Sequence, residues 1–481
     1  MAFKYDCAVV AEALAAFEAE SRAGRVRVIN QVPMREMMGR LDLARLIEGG
    51  GLQGERLRRF LGEYLAASTR LQHPGYMSHQ VAVPQPASAL AALVDGFTNN
   101  AMAIYEMGPA AATVEMAIVN WMLDKIGWRP QPLPGGAAPD GVVGGGGVLT
   151  HGGSLANLTA LSAARARVAP ESFAEGTPRN LVIVASPASH YSIARSAGIL
   201  GLGQKAVRHA PTDDDGRIVA GRLGGYLARL AEEGSVVLAV VANACSTALG
   251  LYDPIRAIAE VCGDAGAWLH VDGAHGASAL VSRRRRGLLD GVELADSLIW
   301  DAHKMLRTST LCAGVLVRDG RDLDHAFRED ASYLFHDKDQ PGFDFIHRTV
   351  ECTKSALGLK ALFALAAEGE GAIERTFDGR CDLAEAVADH LAGEDGVEVA
   401  VKPQTNIVCF RVAGDDELQL ELRRRLTQAG MHYISSTEAK GRRWLRLALM
   451  NPATGIEDVR SLMQEIRRHL ADIAHEPQGK T

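Results

Sequence analysis

The segment WLHVDGAHG, residues 268–276, places an acidic residue directly after a short apolar run. The run Trp268–Asp272 has the length of a buried strand, and similar runs follow and precede it along the chain. Helical patterns such as Pro254–Cys262 separate several of these runs. Continuous apolar strands between helices indicate a mainly parallel sheet that is covered on both faces. The other strand candidates in this region are Leu181–Ala185, Val236–Ala242, Ser297–Trp300 and Cys312–Val317.

The flanking regions have a different pattern of helices and strands. The sequence therefore predicts an α/β domain with an additional segment before it and a smaller domain after it. Residues 1–70 form a helical N-terminal segment, and residues 71–365 form the large α/β domain. After it, strand and helix patterns at NIVCFRV (406–412), LQLELRRRLTQAG and WLRLALM (444–450) predict a smaller C-terminal α+β domain over residues 366–475, with a tail at 476–481.

Composition narrows the class of protein. The chain has 481 residues, of which 47% are hydrophobic and 23% charged, which is typical of a globular protein. A net charge of −7 gives no global attraction to nucleic acid or to an anionic membrane. The N-terminus lacks the order of a signal peptide, and the seven scattered cysteines include no CxxC pair. We therefore expect reduced thiols and a cytoplasmic protein without a metal site, a nucleic-acid partner or a membrane partner.

Two motifs could bind an anion or a ring. In THGGSLANLTAL (150–161), Gly152 and Gly153 open a helix, and Ser154 is expected to act as its N-cap. Such a helix start can bind phosphate, although many ordinary helices begin in this way. The preceding glycines, Gly144–Gly147, do not follow the GxGxxG order, and we expect a flexible approach there. His190, in SPASHYSIARSAG, follows a buried strand and could be a ligand or a structural histidine.

Two more motifs carry charge at strand ends. Asp272 must be paired, hydrogen-bonded or turned toward a ligand, or else it caps the next turn. Lys304, in SLIWDAHKML, could reach solvent along its stem or serve as a Schiff-base amine. A phosphate-binding helix start, a ring-stacking histidine, an aspartate and a lysine, in this order, are what a pyridoxal phosphate site requires.

These motifs resemble those of the group II pyridoxal-phosphate-dependent amino-acid decarboxylases, which include the glutamate, cysteine sulfinate, 2,4-diaminobutyrate and aromatic amino-acid decarboxylases. The matching segments run from HPGYMSHQ at 73 to LRLALMNP at 445–452, and THGGSLAN, SHYS, VVANACSTALGLYDPI, WLHVDGAHG and DAHKML stand in family order. The resemblance implies fold type I, the aspartate-aminotransferase-like fold, with a large seven-stranded-type sheet. It also implies a homodimer with shared active sites.

The resemblance implies a role for each residue that matches a family motif. Lys304 would be the Schiff-base lysine, Asp272 the partner of the pyridine nitrogen, and His190 the ring that stacks on the cofactor. Tyr333, in EDASYLFHD, would protonate the substrate carbon after carbon dioxide leaves, and Arg446 would bind the substrate carboxylate. The remaining implied contacts to the cofactor come from Gly153, Ser154, Ser246, Ala274 and His303.

Substrate choice is less determined by the sequence. By resemblance, HPGYMSHQ and FTNNAMAIYEMGP line the side-chain end of the pocket with a polar set, Tyr76, His79, Gln80, Asn99, Asn100 and Tyr105. We expect a small polar or charged substrate: aspartate, glutamate, cysteine sulfinate or 2,4-diaminobutyrate. Asp301 replaces a frequent asparagine and adds a carboxylate near the phosphate end, where it could weaken cofactor binding.

Three other functions stay open at this stage. The same cofactor could support oxygen-dependent conversion of an amino acid to an aldehyde, or a carbon–carbon lyase reaction. Tyr333 and Arg446 argue against both reactions, and family members with phenylalanine at the Tyr333 position favour the oxidative one. A catalytically silent member of the fold is the third possibility, which the presence of Lys304 and Asp272 disfavours.

Overall fold

The computed structural model describes residues 2–133, 143–327 and 342–476. The contacts between residues divide it into two compact units, one formed by Met1–Val83 with Asp382–Thr481 and the other by Pro84–Cys381. We call them the terminal unit and the central unit. Among the described residues, no helix is both long and apolar enough to cross a membrane.

Helices and strands alternate through the central unit, whereas helices dominate the N-terminal part of the chain. The helices are α1 Ala2–Arg22, α2 Met34–Arg40, α3 Leu43–Gly49, α4 Gly54–Ala67, α5 Pro86–Thr98, α6 Pro109–Ile126, α7 Gly153–Val168, α8 Ser172–Glu175, α9 Ser192–Ile199, α10 Ala220–Glu232, α11 Ile255–Ala265, α12 Arg321–Phe327, α13 Leu357–Glu368, α14 Glu370–Ala392, α15 Asp416–Ala429 and α16 Ile456–His475. The strands are β1 Gly146–Thr150, β2 Leu181–Ala185, β3 Val207–His209, β4 Val236–Asn243, β5 Trp268–Asp272, β6 Ser297–Asp301, β7 Ala313–Val317, β8 Val397–Val399, β9 Ile407–Val412, β10 Ser435–Ala439 and β11 Arg442–Ala448.

The central unit is built on a seven-stranded sheet with the order β1-β7-β6-β5-β4-β2-β3. Strand β7 is antiparallel to both of its neighbours, and the other pairs are parallel. The carboxyl ends of β1, β2, β4, β5 and β6 therefore share one edge. Strands β1, β2, β5, β6 and β7 are buried along their whole length, as expected for strands covered on both faces. The predicted α/β fold is confirmed.

Helix α7 packs on this sheet and contributes most to the main hydrophobic core. Its small side chains at Ala156, Ala160 and Ala163 are fully buried and let the helix approach the strands closely. Strand residues such as Ile183 and Val241 lie in the same core. This close packing fixes the start of α7 relative to the sheet edge, where the strands end.

The terminal unit contains a four-stranded antiparallel sheet with the order β10-β11-β9-β8. Its core joins Phe410 of β9 and Leu445 of β11 to apolar residues of α15 and α16, such as Leu422 and Leu462. The strand predicted at 444–450 begins and ends two residues earlier, at Arg442–Ala448.

Two local predictions were wrong. Gly146 and Gly147 belong to the buried strand β1 and are not part of a flexible approach. A Cβ at Gly147 would lie 2.7 Å from the carbonyl oxygen of Val315, so the strand needs glycine there. Ser154 is not the N-cap of α7, because the helix begins one residue before it, at Gly153. The predicted domain borders stay a prediction. The compact units have different limits, and α14 runs through the border between Cys381 and Asp382.

Candidate active site

The candidate site lies at the sheet edge where β1, β5 and β6 end. Asp301, the last residue of β6, is paired with Ala313 of β7, and Ala313 is paired with Thr150, the last residue of β1. This register places the segment after β1 beside the segment after β6. The start of α7 and Lys304 therefore meet at one place.

Lys304 is held by a buried carboxylate. Its Nζ lies 3.1 Å from Oδ2 of Asp301, and the Asp301 side chain is only 2% exposed. Among the described residues, Oδ1 of Asp301 has no hydrogen-bond partner. A buried oxygen without a partner is costly unless a ligand or a proton satisfies it. Asp301 thus gives the site an ion pair to the lysine and one free acceptor.

His303 is fixed by the strand beside it. Its Nδ1 lies 2.8 Å from the carbonyl oxygen of Cys312, and its Nε2 lies 3.7 Å from Oδ2 of Asp301. The ring is buried. The same Nδ1 lies 3.3 Å from the backbone nitrogen of Cys312, so both backbone groups of Cys312 hold the ring. His303 therefore turns its other nitrogen toward the carboxylate.

Gly153 forms the close contact between α7 and the end of β6. A Cβ added at this glycine would lie 2.7 Å from Oδ2 and 2.9 Å from Oδ1 of Asp301. Gly152, just before the helix, has φ +108, a conformation that favours glycine. The first turn of α7 therefore brings backbone N–H groups to the sheet edge, next to the carboxylate of Asp301.

We expect Gly153→Ala to lower the free energy of unfolding by about 1–3 kcal/mol, because the added methyl group must displace Asp301. Chemical denaturation measures the change. Gly221→Ala is a matched control, since Gly221 also lies in the first turn of a helix, α10, and has open space around its Cβ position. Equal effects of the two substitutions would contradict this account of Gly153.

Asp272 ends β5 and accepts a hydrogen bond on each oxygen. Oδ2 accepts from Nδ2 of Asn157 at 3.0 Å, and Oδ1 accepts from the backbone N–H of Ala274 at 3.2 Å. The carboxylate is buried, and the carbonyl oxygen of Ala274 accepts the backbone N–H of Asp301. These bonds fix the orientation of the Asp272 carboxylate, and each oxygen keeps a lone pair that can accept from a further donor.

His190 lies just after β2, at the same edge. Its Nδ1 lies 2.8 Å from Oγ of Ser192, the first residue of α9. Burial lowers the pKa of His190. The nearby charge of Lys304 also lowers this pKa, whereas the carboxylates of Asp272 and Asp301 raise it by less than burial lowers it. A neutral ring at this position suits stacking on a flat aromatic group.

Ser246 has a local role in its own loop. Its backbone N–H donates to the carbonyl oxygen of Leu251, and its Oγ accepts the backbone N–H of Leu251 at 3.2 Å. Within the described residues, these bonds join Ser246 to Leu251 and not to Lys304 or Asp272. Its assignment as a cofactor contact stays a prediction.

Asn157 and His270 are site residues that the sequence argument left without a role. Nε2 of His270 lies 2.8 Å from Oδ1 of Asn157, so the two side chains stand directly behind Asp272. The signals were present in the motifs. Asn157 is one helical turn after Gly153, and His270 precedes Asp272 by two residues on the same face of β5. His151, bonded to Ser355 at 2.8 Å, was also overlooked.

Burial lowers the pKa of His270 to about 4, so its ring is neutral in the folded protein between pH 4 and 6.5, whereas the unfolded chain binds a proton there. Stability should therefore fall as the pH drops from 6.5 to 4, by about 3 kcal/mol from this residue. His270→Gln removes this contribution, and we expect a flatter curve of unfolding free energy against pH. Parallel curves for the two proteins would contradict the prediction.

The predicted substrate residues belong mostly to the terminal unit. Arg446 on β11 is 6% exposed, and its Nη1 lies 3.3 Å from the carbonyl oxygen of Ser78. His79 Nε2 lies 3.2 Å from the hydroxyl of Tyr433, and burial, with the charge of Arg446, lowers the pKa of His79. Tyr76 is buried beside them, which raises its pKa to about 12.

The other predicted positions are less informative. Gln80 is partly buried in the terminal unit. Asn100 follows α5 in the central unit and donates to the carbonyl oxygen of Thr98 at 3.0 Å. Tyr105 is also in the central unit, and its backbone N–H donates to Oδ1 of Asp344 at 2.8 Å. Tyr333 lies outside the described residues.

Comparison with known proteins places these features in a family. The family described as the pyridoxal-dependent decarboxylase conserved domain matches residues 66–413. Human cysteine sulfinic acid decarboxylase is 30% identical over 366 residues, covering 74% of this chain and 71% of the relative. Mouse acidic amino acid decarboxylase GADL1 is 27% identical over 462 residues, covering 92% and 81%. The crystal structure of mouse CSAD superposes with a TM-score of 0.85 at 25% identity, covering 96% of this chain and 98% of the other.

The chain therefore belongs to the pyridoxal-dependent decarboxylase family, and it is a pyridoxal-phosphate-dependent amino-acid decarboxylase. The residues at the sheet edge fit this cofactor. The first turn of α7 offers backbone N–H groups at Gly153, a position with no room for a Cβ, and Lys304 offers an amine 3.1 Å from a buried carboxylate. Asp272 offers an acceptor whose oxygens are already oriented by two donors.

Proposed function

We propose that this chain decarboxylates an L-amino acid with a small polar or charged side chain to the amine and carbon dioxide. The substrate candidates are aspartate, glutamate, cysteine sulfinate and 2,4-diaminobutyrate. The observation that carries the proposal is the meeting of Lys304, Asp301, Gly153 and Asp272 at one sheet edge. The names of the relatives, an acidic amino acid decarboxylase and a cysteine sulfinic acid decarboxylase, support the substrate class.

Each residue at the edge has a part in binding the cofactor. Lys304 would carry the covalent link, and Asp272 would accept a hydrogen bond from the pyridine nitrogen. The backbone N–H groups at Gly153 and Ser154 would hold the phosphate, with His303 nearby. His190 would stack on the ring, and Ala274 would lie under it. When bound, pyridoxal phosphate supplies a ring that accepts the electron pair left by the departing carboxylate.

Arg446 and Tyr333 would act on the substrate. The guanidinium of Arg446 is planar and suits a carboxylate, and its burial makes it effective as a binding group. Tyr76, His79, Gln80 and Asn100 would contact the substrate side chain. We keep Tyr333 as the proton donor to the substrate carbon, which favours simple decarboxylation over aldehyde formation.

We also infer that two copies of the chain form a homodimer. Helix α5 exposes four apolar side chains on the central unit, and such a patch marks an interaction site. The exposed fractions are 60% for Leu90, 51% for Leu93, 43% for Val94 and 69% for Phe97. A cytoplasmic location is supported by the seven cysteines, five of which are buried thiols.

The experiment that tests the function is a panel of L-amino acids on the cofactor-loaded protein, with carbon dioxide release and oxygen uptake followed together. We expect carbon dioxide without oxygen uptake, with one of the four candidates as the best substrate. Oxygen uptake with an aldehyde product would contradict simple decarboxylation and the role given to Tyr333. An aromatic amino acid as the best substrate would contradict the polar pocket.

A further inference from the structure

A continuous line of buried hydrogen bonds runs behind the site, from the start of β5 to Asn157 on α7. Nε1 of Trp268 lies 2.8 Å from Oγ of Ser297, and this oxygen lies 2.8 Å from Nδ1 of His270. Nε2 of His270 lies 2.8 Å from Oδ1 of Asn157. None of these side chains is more than 3% exposed, so water does not replace any of the bonds.

The two ends of this line determine the direction of every bond in it. The indole N–H of Trp268 can only donate, and the carboxylate of Asp272 can only accept. Asn157 must therefore turn its amide nitrogen toward Asp272 and its oxygen toward His270. Nε2 of His270 then carries the hydrogen. Because burial lowers the pKa of His270 to about 4, the ring is neutral and its Nδ1 accepts from Ser297.

The amide nitrogen of Asn157 has a second hydrogen, which extends the line to His190. Nδ2 lies 2.9 Å from Oγ of Ser192, so Ser192 accepts here and gives its own hydrogen to Nδ1 of His190 at 2.8 Å. The backbone N–H of Ser192 also points to this nitrogen, at 3.3 Å. Nδ1 of His190 is thus an acceptor in two independent bonds, and Nε2 carries the hydrogen of the neutral ring.

We propose that His270 is a positioning residue that acts through Asn157 on both Asp272 and His190. It fixes the Asn157 amide in the one orientation that donates to the carboxylate, and through Ser192 it sets which nitrogen of His190 carries the hydrogen. This inference rests on the proposed function, which gives Asp272 and His190 their places against the cofactor. Without the donor at Nε2 of His270, the amide is free to rotate, and Asp272 loses an oriented partner.

Two substitutions at the same position separate this role from simple core packing. His270→Gln can place an amide nitrogen where Nε2 stands and still donate to Asn157. His270→Asn is shorter and can satisfy Ser297 but cannot reach Asn157. Both variants leave a polar side chain in the same buried place. If His270 served only to fill the core, the two variants would therefore lose cofactor binding to the same extent.

The experiment measures the equilibrium dissociation constant for pyridoxal phosphate and the visible circular dichroism of the bound cofactor in both variants. We expect His270→Asn to weaken binding by about 10-fold to 100-fold and to change the dichroic band, because one hydrogen bond to a charged group is lost. His270→Gln should stay close to the wild type. Equal losses in the two variants, or no loss in either, would overturn the proposal.

Neutron diffraction from crystals of the deuterated protein tests the bond directions directly. We expect deuterium on Nε2 of His270 and none on Nδ1 of either His270 or His190. Deuterium on Nδ1 of His270 would overturn the proposal, whatever reaction the enzyme catalyses. Failure of the amino-acid panel would instead refute the proposed function and leave these hydrogen positions as they are.

Discussion

Lys304→Ala should abolish the covalent retention of pyridoxal phosphate and reduce decarboxylation by at least about 10³-fold, because the site loses its only amine beside Asp301 in the described structure. Borohydride reduction of the loaded wild type, followed by peptide mass spectrometry, should find the cofactor on Lys304. The same treatment of the variant should find none.

Lys360→Ala is the control for this experiment. Lys360 is a partly exposed lysine of α13 that donates to the carbonyl oxygen of Thr310, and it lies outside the site residues named above. Its replacement should leave both covalent retention and turnover unchanged. Cofactor trapped on another lysine in Lys304→Ala would contradict the assignment.

Lys354→Met should lower the free energy of unfolding by about 3–5 kcal/mol, since it leaves the buried carboxylate of Glu115 without its cation. Lys354 and Glu115 are both fully buried and form an ion pair. Burial raises the pKa of Glu115, and loss of the lysine should raise it further. The folded variant then binds a proton that the unfolded chain releases, so the deficit should grow as the pH rises above 4.5.

The double variant Lys354→Met with Glu115→Gln distinguishes charge from shape. Glu115 Oε1 accepts the backbone N–H of Leu149 at 2.9 Å, and a glutamine oxygen can take over this bond. We expect the double variant to recover most of the lost stability and to lose the added pH dependence. A double variant as unstable as the single one would show that packing around the methionine causes the loss. Urea unfolding at several pH values provides the measurement.

The central strands could be predicted from the sequence because each is a continuous apolar run, which only a doubly covered sheet explains. The edge strands β3 and β10 could not, because they are short or polar, with sequences VRH and SSTEA. Strand β1 was missed because its glycines resemble a loop. The reason why a glycine is required at 147 becomes visible only in the fold, where the carbonyl oxygen of Val315 on the neighbouring strand leaves no room for a Cβ.

The site shows the same division between local and spatial information. Lys304, Asp272 and Gly153 stand at element boundaries, where their chemistry is unusual enough to be noticed in the sequence. Asn157 and His270 lie inside a helix and a strand, where the sequence alone cannot tell a bonded polar group from an unfavourable one. Only the fold shows that Nε2 of His270 lies 2.8 Å from Oδ1 of Asn157.

The hydrogen bond between Glu115 and Leu149 lies at an edge of the seven-stranded sheet. Strand β1 is an outermost strand, and the N–H of Leu149 is one of the groups that could pair with a strand of another molecule. The carboxylate of Glu115 occupies this donor from α6. A single buried side chain thus occupies a backbone donor of the outermost strand that could otherwise pair with a strand of another molecule.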